Sequence, residues 1–256
     1  MFKQFSALLY KLTAFLIING LLIAAPLKST GQNPPPRFPV KRAESRETWL
    51  RDGEAAIERA KRILRRKTRA KNVILFVGDG MGVSTVTAAR ILEGQRGGAS
   101  GEENNLSFES FPSVALSKTY STNQQTSDSA PTMTAMVTGV KTEDSIISVD
   151  QRVVAGDYKT VKGNELVTVL ELAEQKGLST GVVSTARLTH ATPAACYAHT
   201  ADRDWEADRD LPEDARRANF PDIARQLIEF PFGDGLEVAL GGGRTKFLPE
   251  TVNDPE

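Results

Sequence analysis

The sequence has little of two residue types that often act as metal ligands or activate nucleophiles. Of its 256 residues, one is a cysteine, Cys196, and two are histidines, His190 and His199. A single cysteine excludes an intramolecular disulfide in this sequence, so we expect Cys196 to be a buried, unreactive thiol. Neither histidine stands in a nucleophile-elbow pattern, so the sequence offers no convincing histidine base for a serine nucleophile.

The sequence also lacks net charge and, after its N-terminus, long apolar runs. The 32 basic residues balance the 32 acidic ones, which argues against nucleic-acid binding although residues 65–69 are basic. Hydrophobic residues make up 40% and charged residues 25% of the chain, as is usual for a soluble globular domain. No segment after residue 26 resembles a transmembrane helix.

The N-terminal residues 1–26 predict a secretory signal peptide. Lys3 and Lys11 precede an apolar run over residues 12–25 that ends in small residues, and this order is typical of such signals. The run is short for a membrane span, and an uncleaved N-terminal anchor is the alternative. We therefore expect an exported, periplasmic or extracellular protein with no membrane span after signal removal. Residues 27–43 contain three consecutive prolines and predict an extended linker.

Residues 44–256 predict an α/β domain. An amphipathic helix is expected over 44–71, after which apolar runs alternate with segments of helical periodicity. The predicted strands cover 71–79, 113–120, 179–184 and 236–240, and the predicted helices cover 84–93, 163–176 and 220–230, with another that begins at Ser129 and is closed by Gly139. This alternation predicts a mainly parallel sheet with helices on both faces.

Ser129 is the first candidate functional residue. It directly follows Asp128 within the hydroxyl-rich stretch 126–135, where a loop enters a predicted helix. A helix N-terminus has unpaired N–H groups and a partial positive charge, so it suits a phosphate or a developing oxyanion. Ser129 is therefore either an N-cap or a nucleophile, and from this stretch alone the N-cap is favoured.

Asp79 is the second candidate. It ends the apolar, β-branched run from Lys71 and lies among glycines, so the pattern predicts a buried strand with Asp79 at its carboxyl edge. Functional groups of open α/β sheets collect at that edge. An aspartate that caps the next helix is the alternative for this residue in isolation.

With two further stretches, 189–194 and 202–205, these motifs resemble the alkaline phosphatase family. The four motifs stand in the family's order over about residues 70–256. The resemblance implies an alkaline-phosphatase-like fold and metal-dependent hydrolysis of phosphate monoesters through a phosphoserine intermediate. It also implies three bound metal ions, two Zn²⁺ and one Mg²⁺. Homodimers are common in the family.

The resemblance implies a role for each candidate residue. Ser129 would be the phosphorylated nucleophile and a metal ligand, and Asp79 would bridge zinc and magnesium. Thr192 would bind magnesium through oxygen, with His190 beside that ion through a water molecule. Arg203 would bind two phosphate oxygens with its planar guanidinium group, a geometry that lysine cannot copy. Because no histidine base is evident, metal ions would activate the serine.

Alternatives remain for two of these residues. His190 is equally well interpreted as a histidine in a surface loop. Arg203 could form a surface ion pair with Asp202 or Asp204, which flank it. We expect Asp128 to help to position Arg203.

The sequence departs from the family pattern at two places. Pro131 and Met133 stand where the family often has small residues; proline is acceptable in a first helical turn, whereas Met133 would narrow the space behind the serine. After Arg203 the sequence has no histidine, so it does not complete a dinuclear zinc site. We therefore interpret it as the N-terminal part of an alkaline phosphatase. A related sulfatase or phosphodiesterase, or a non-catalytic fragment that lacks C-terminal metal ligands, is the alternative.

Overall fold

The computed structural model describes residues 51, 53–58, 61, 69–252 and 254. These residues divide into two compact units. One contains 82–112 and the described residues before 68, and the other contains 69–81 and everything from 113 onward. The predicted signal peptide, 1–26, and linker, 27–43, lie outside the described residues. Within the described ranges, no helix is both long enough and apolar enough to cross a membrane.

The first unit is built around the helix Val83–Arg96, which confirms the helix predicted over 84–93. A 3-10 turn, Ser107–Ser110, follows a polar loop. Arg90 of the helix pairs with Glu109 of the turn at 3.1 Å. In the segment predicted as an amphipathic helix, the described residues 51, 53–58 and 61 are helical and exposed.

The second unit contains short helices separated by irregular segments. Its α-helices are Ser129–Thr138, Val169–Glu174, Ala191–Ala194, Glu213–Arg217 and Ile223–Ile228, and its 3-10 turns are Tyr158–Thr160, Asp208–Asp210 and Arg244–Phe247. The helix predicted over 163–176 begins later because Thr168 caps it. The Thr168 hydroxyl accepts the N–H of Glu171 at 3.2 Å, and the Glu171 carboxylate accepts the N–H of Thr168 at 2.8 Å. This reciprocal capping fixes where the helix starts.

Two parallel strands, Gly181–Arg187 and Val238–Gly242, confirm the parallel arrangement predicted for this part of the chain. Gly181 lies opposite Val238, and Arg187 lies opposite Gly242. Each strand begins two residues later than predicted. Because parallel strands need a long crossover, the helices between them belong to the connection.

Two predicted strands, 71–79 and 113–120, are wrong. Neither segment forms a β-bridge with any other described residue, and most of their apolar side chains are exposed, with values of 86% for Val73, 89% for Phe76 and 94% for Leu116. A β-branched, apolar run indicates a preference for a pleated, half-buried surface. A strand also requires a neighbour that bonds to its backbone, and composition does not provide that neighbour.

Two buried apolar clusters hold the second unit together. The first packs one face of the helix Ser129–Thr138 against the chain after the first strand, and includes Ala130, Met133, Val137, Leu188, Ala194 and Tyr197. The second includes Ile146, Val149, Val153, Trp205 and Leu211, with Phe220 edge-on to Trp205 at 5.7 Å. These clusters anchor the helix that begins at Ser129 and the segment that carries Arg203.

Cys196 is buried within the first cluster and forms no disulfide. Burial raises the pKa of its thiol to about 12, because an apolar environment disfavours the thiolate. The thiolate is the reactive form. The prediction that Cys196 is buried is therefore confirmed, and the raised pKa agrees with the expected low reactivity of its thiol.

His199 forms a buried hydrogen-bonded bridge. Its Nδ1 lies 2.7 Å from the carbonyl oxygen of Ser148, and its Nε2 lies 2.7 Å from a carboxylate oxygen of Glu171, which is 1% exposed. Both nitrogens face acceptors, which suits the protonated ring. Burial alone would lower the pKa of His199. The hydrogen bond and charge of Glu171, together with the Ser148 carbonyl, outweigh burial and raise the pKa above its usual 6.5.

We predict that His199 stabilises the fold more at acidic than at alkaline pH. Because its pKa is raised on folding, its contribution is complete below the unfolded value of about 6.5 and is lost as pH rises through the folded value. His199→Gln should lower the free energy of unfolding by about 1–3 kcal/mol near pH 6, and by less near pH 9. Urea unfolding of both proteins across this range measures the difference, and a pH-independent difference would contradict the prediction.

Candidate active site

Ser129 is the first residue of its helix, and Asp128 is the N-cap. Asp128 Oδ1 accepts the N–H of Ala130 at 2.6 Å, so the capping role that was the alternative for Ser129 belongs to its neighbour. Ser129 is half-buried, and no hydrogen bond among the described residues involves its hydroxyl. The helix ends at Gly139, which has a φ of 78° in the left-handed region, as predicted from its glycine.

The carboxylate of Asp128 also contacts two other segments. Its Oδ2 accepts the backbone N–H of Ser145 at 2.9 Å, and its Oδ1 lies 3.1 Å from Arg203 Nη1. Among the described residues, Arg203 forms its ion pair with Asp128 and with neither Asp202 nor Asp204. The contact that we expected to orient Arg203 is therefore present. It fixes the guanidinium group beside the start of the helix.

The other face of Arg203 contacts His190, whose Nε2 lies 3.2 Å from Arg203 Nη2. His190 is the N-cap residue of the short helix Ala191–Ala194 and is half-buried. Its Nδ1 is buried, with no hydrogen-bond partner in the described part of the chain. The structure therefore places His190 against the arginine rather than in a free surface loop.

Asp79 and Thr192 are brought together although 113 residues separate them in sequence. The Thr192 hydroxyl donates to Asp79 Oδ2 at 2.8 Å. Asp79 lies in a turn that the N–H of Met81 closes by donating to the carbonyl of Gly78. The next helix has Gly82 as its N-cap, so the alternative role of Asp79 as a helix cap is wrong.

Direct contacts join the predicted site residues into two groups. Asp128, adjacent to Ser129, pairs with Arg203, and Arg203 contacts His190. Two residues beyond His190, Thr192 bonds to Asp79. Both groups lie within the second unit, and residues 190–192 join them along the chain.

The donor chemistry fits one of the implied metals. A carboxylate and a hydroxyl, as in Asp79 and Thr192, are hard oxygen ligands that suit Mg²⁺. Zinc sites in proteins use several His, Cys, Asp or Glu ligands. No group of three or more such residues that could hold a metal occurs among the described residues. The described residues therefore fit magnesium and do not define a zinc site.

Sequence reasoning missed Ser145. This residue has a φ of 69°, donates its N–H to Asp128 and accepts the N–H of Arg203 at 2.7 Å. The left-handed region favours glycine and asparagine, so a serine in this conformation has no sequence signal.

Glu206 is a second residue that sequence reasoning missed. It is buried, and the Arg187 guanidinium donates to both of its oxygens at 2.8 and 2.7 Å, with Thr189 Oγ1 donating at 2.5 Å. Burial alone would raise the pKa of Glu206, but these hydrogen bonds outweigh it and lower the pKa. Arg187 is therefore engaged in a bidentate ion pair with Glu206, whereas Arg203 contacts Asp128 and His190.

The second unit is an α/β domain. His190 and Thr192 lie just beyond the carboxyl end of its parallel strand Gly181–Arg187, where such domains bind ligands. Residues 70–256 match the family described as alkaline phosphatase. The chain belongs to this family. The resemblance seen in the four sequence motifs is thus confirmed.

Individual relatives agree with this assignment. The chain is 50% identical over 191 residues to an alkaline phosphatase of Gadus morhua, covering 74% of this chain and 39% of the relative. It is 45% identical over 218 residues to the tissue-nonspecific isozyme of Gallus gallus, covering 84% and 41%. The chain thus spans about two fifths of the length of these relatives. A crystal structure of a cold-active alkaline phosphatase from Shewanella sp. is 29% identical, with 68% and 36% covered and a TM-score of 0.49.

We predict that Arg203→Ala weakens binding of inorganic phosphate more than Arg203→Lys does. Each charge-assisted hydrogen bond contributes about 1.5–3 kcal/mol, and lysine keeps the charge without the bidentate geometry. The dissociation constant should rise about 10–100-fold for alanine, as measured by calorimetry on the full-length, metal-loaded protein. Arg187→Lys is the matched control and should leave the constant unchanged. If Arg187→Lys raised the dissociation constant more than Arg203→Lys did, Arg187 rather than Arg203 would bind the phosphate.

Proposed function

We propose that the protein hydrolyses phosphate monoesters through a phosphoserine intermediate on Ser129. Membership of the alkaline phosphatase family supports the reaction class. The observation that supports it best is the contact between Arg203 and Asp128, which holds a guanidinium group next to a serine whose hydroxyl has no partner among the described residues. A free hydroxyl, a helix N-terminus and a fixed cation together suit attack on a phosphate.

In the proposed reaction, Ser129 Oγ loses its proton to solvent and forms a bond to phosphorus as the bond to the leaving oxygen breaks, and the leaving alkoxide takes up a proton from solvent. Water then attacks the phosphoserine, which releases inorganic phosphate and restores the hydroxyl. Arg203 binds two of the phosphate oxygens through both steps, because its planar group offers parallel N–H donors. Asp128 keeps that group in place, and the partial positive charge of the helix N-terminus favours the negatively charged phosphate.

We propose that Asp79 and Thr192 hold Mg²⁺ when it is bound, with His190 contributing through a water molecule. This assignment is supported by two oxygen atoms that could bind the ion, Asp79 Oδ2 and Thr192 Oγ1, which lie 2.8 Å apart. Bound divalent cations would favour the deprotonated serine and neutralise charge on the phosphate. The resemblance also implies two Zn²⁺ ions, with Asp79 and Ser129 among their ligands. The described residues do not complete that site.

We further propose that the protein is exported and that residues 1–26 direct the export. The basic-apolar-small order of these residues supports this proposal. Residues 27–43 would then link the mature N-terminus to the domain. Association as a homodimer stays an expectation taken from the family.

We predict that Ser129 becomes phosphorylated during turnover. The full-length protein, with zinc and magnesium supplied, should be mixed with labelled aryl phosphate and quenched in acid. Peptide mapping should then place the label on Ser129, because its hydroxyl is the one at the helix start. Ser129→Ala should abolish the label and reduce turnover by at least about 10³-fold.

Two controls make this result specific. Thr132→Ala changes another hydroxyl of the same helix, which donates to the carbonyl of Asp128 at 2.9 Å, and should retain labelling at Ser129. Aryl sulfate and phosphate diester substrates distinguish the related activities. Labelling of a residue other than Ser129, or preferred turnover of the sulfate or diester, would overturn the proposed function.

A further inference from the structure

The loop that precedes Ser129 has little regular structure of its own. We call residues 121–128 the nucleophile loop. Most of it is exposed and none of it belongs to a helix or strand. Within the loop, the N–H of Ser121 donates to the carbonyl of Gln124 at 3.0 Å, and the N–H of Thr122 donates outward to the carbonyl of Thr142. Most bonds within the loop join residues 121–124, so the residues just before Ser129 depend on contacts from outside the loop.

Asp144 makes several of those contacts. Its Oδ1 accepts the hydroxyl of Ser127 at 2.7 Å and the backbone N–H of Asp128 at 3.2 Å. Its own backbone N–H donates to the side-chain carbonyl of Asn123 at 2.9 Å. A single residue thus binds the middle and the end of the nucleophile loop. Two of its bonds are to the two residues immediately before Ser129.

The charge of Asp144 is directed at the loop rather than at a basic residue. No ion pair among the described residues involves Asp144. The Ser121 hydroxyl, which is buried, also lies 3.4 Å from Asp144 Oδ1. Hydrogen bonds to an ionised acceptor are roughly twice as strong as those between neutral groups. The carboxylate is therefore better suited than a neutral side chain to hold several donors from one loop.

The next residue links this arrangement to the arginine. Ser145 donates its N–H to Asp128 Oδ2 at 2.9 Å and accepts the N–H of Arg203 at 2.7 Å. Its φ of 69° lies in a region that costs energy for residues other than glycine. Asp144 and Ser145 together therefore contact the nucleophile loop and the backbone of Arg203.

We propose that Asp144 is a positioning residue for Ser129. Asp144 acts through its hydrogen bonds to the backbone of Asp128 and the hydroxyl of Ser127. The proposal rests on the assignment of Ser129 as the nucleophile. Asp144 does not touch the phosphate in this account. It sets the direction from which the serine approaches, and a displacement of about 1 Å at a reacting group can reduce a rate by about 10²-fold.

The role proposed for Asp144 predicts a different mutant effect from the role proposed for Arg203. Removing Asp144 should slow formation of the phosphoserine, because the serine becomes less well aligned. It should change the affinity for inorganic phosphate little, because Arg203 keeps its partner Asp128. A purely structural role would lower stability without separating these two quantities.

The test compares Asp144→Ala, Asp144→Asn and Glu143→Ala in the full-length, metal-loaded protein. Glu143 is the matched control, since it is the adjacent acidic residue and forms no side-chain hydrogen bond among the described residues. The rate of Ser129 phosphorylation is measured by rapid quench with an aryl phosphate, and the dissociation constant of inorganic phosphate by calorimetry. Hydrogen exchange of the peptide 121–128 gives a readout that does not depend on turnover.

We expect Asp144→Ala to slow phosphorylation of Ser129 by about 10–100-fold. The dissociation constant of inorganic phosphate should change by less than about threefold. Asp144→Asn keeps a neutral acceptor at the same position and should recover part of the rate, since hydrogen bonds to a neutral acceptor are weaker. Exchange in the nucleophile loop should be faster in the alanine variant than in the wild type and in Glu143→Ala. Should Asp144→Ala not fold, Ser127→Ala, which removes the shortest of these bonds, takes its place and should show the same changes to a smaller extent.

The outcomes separate this proposal from the proposed function. Wild-type phosphorylation rates and wild-type exchange in Asp144→Ala, or in Ser127→Ala when it is used instead, would overturn the positioning role. Equal losses of rate and phosphate affinity would also overturn it, because they would indicate a general disruption. Failure of the wild-type protein to acquire label on Ser129 would instead overturn the proposed function, and the exchange measurement would then still decide whether Asp144 holds the loop.

Discussion

The candidate site depends on the contacts that the carboxylate of Asp128 makes. It caps the helix Ser129–Thr138 through Ala130, accepts the N–H of Ser145 and pairs with Arg203. Three segments that are distant in sequence therefore meet at one charged group that is about one quarter exposed. A partly buried charge with several donors keeps a defined geometry, since each bond restricts the directions of the others.

The rest of the second unit places partners around this carboxylate. The first parallel strand leads into the turn that carries His190 and Thr192, and Glu206 ties Thr189 at the start of that turn to Arg187. The two apolar clusters fix the helix on one side and the arginine segment on the other. Polar contacts orient the side chains of the site, whereas apolar packing holds together the helix and the segments that carry them.

Sequence alone predicted the parts of this arrangement that local patterns encode. The serine at a helix start, the glycine that ends the helix and the two parallel strands all follow from capping preference or periodicity. The strands predicted around Val73 and Leu116 failed because pairing depends on neighbours rather than on composition. Asp144 and Ser145 gave no signal, since their importance comes from contacts across the fold and from a left-handed backbone angle.

The most direct test of this account is a double-mutant cycle between Asp128 and Arg203. Asp128→Ala, Arg203→Ala and the double variant are compared with the wild type for affinity toward inorganic phosphate, with metals supplied. If Asp128 acts by holding Arg203, the effects should be non-additive, with a coupling energy above about 1 kcal/mol. Additivity within about 0.5 kcal/mol would show that the two residues act independently, and it would contradict the central role of this carboxylate.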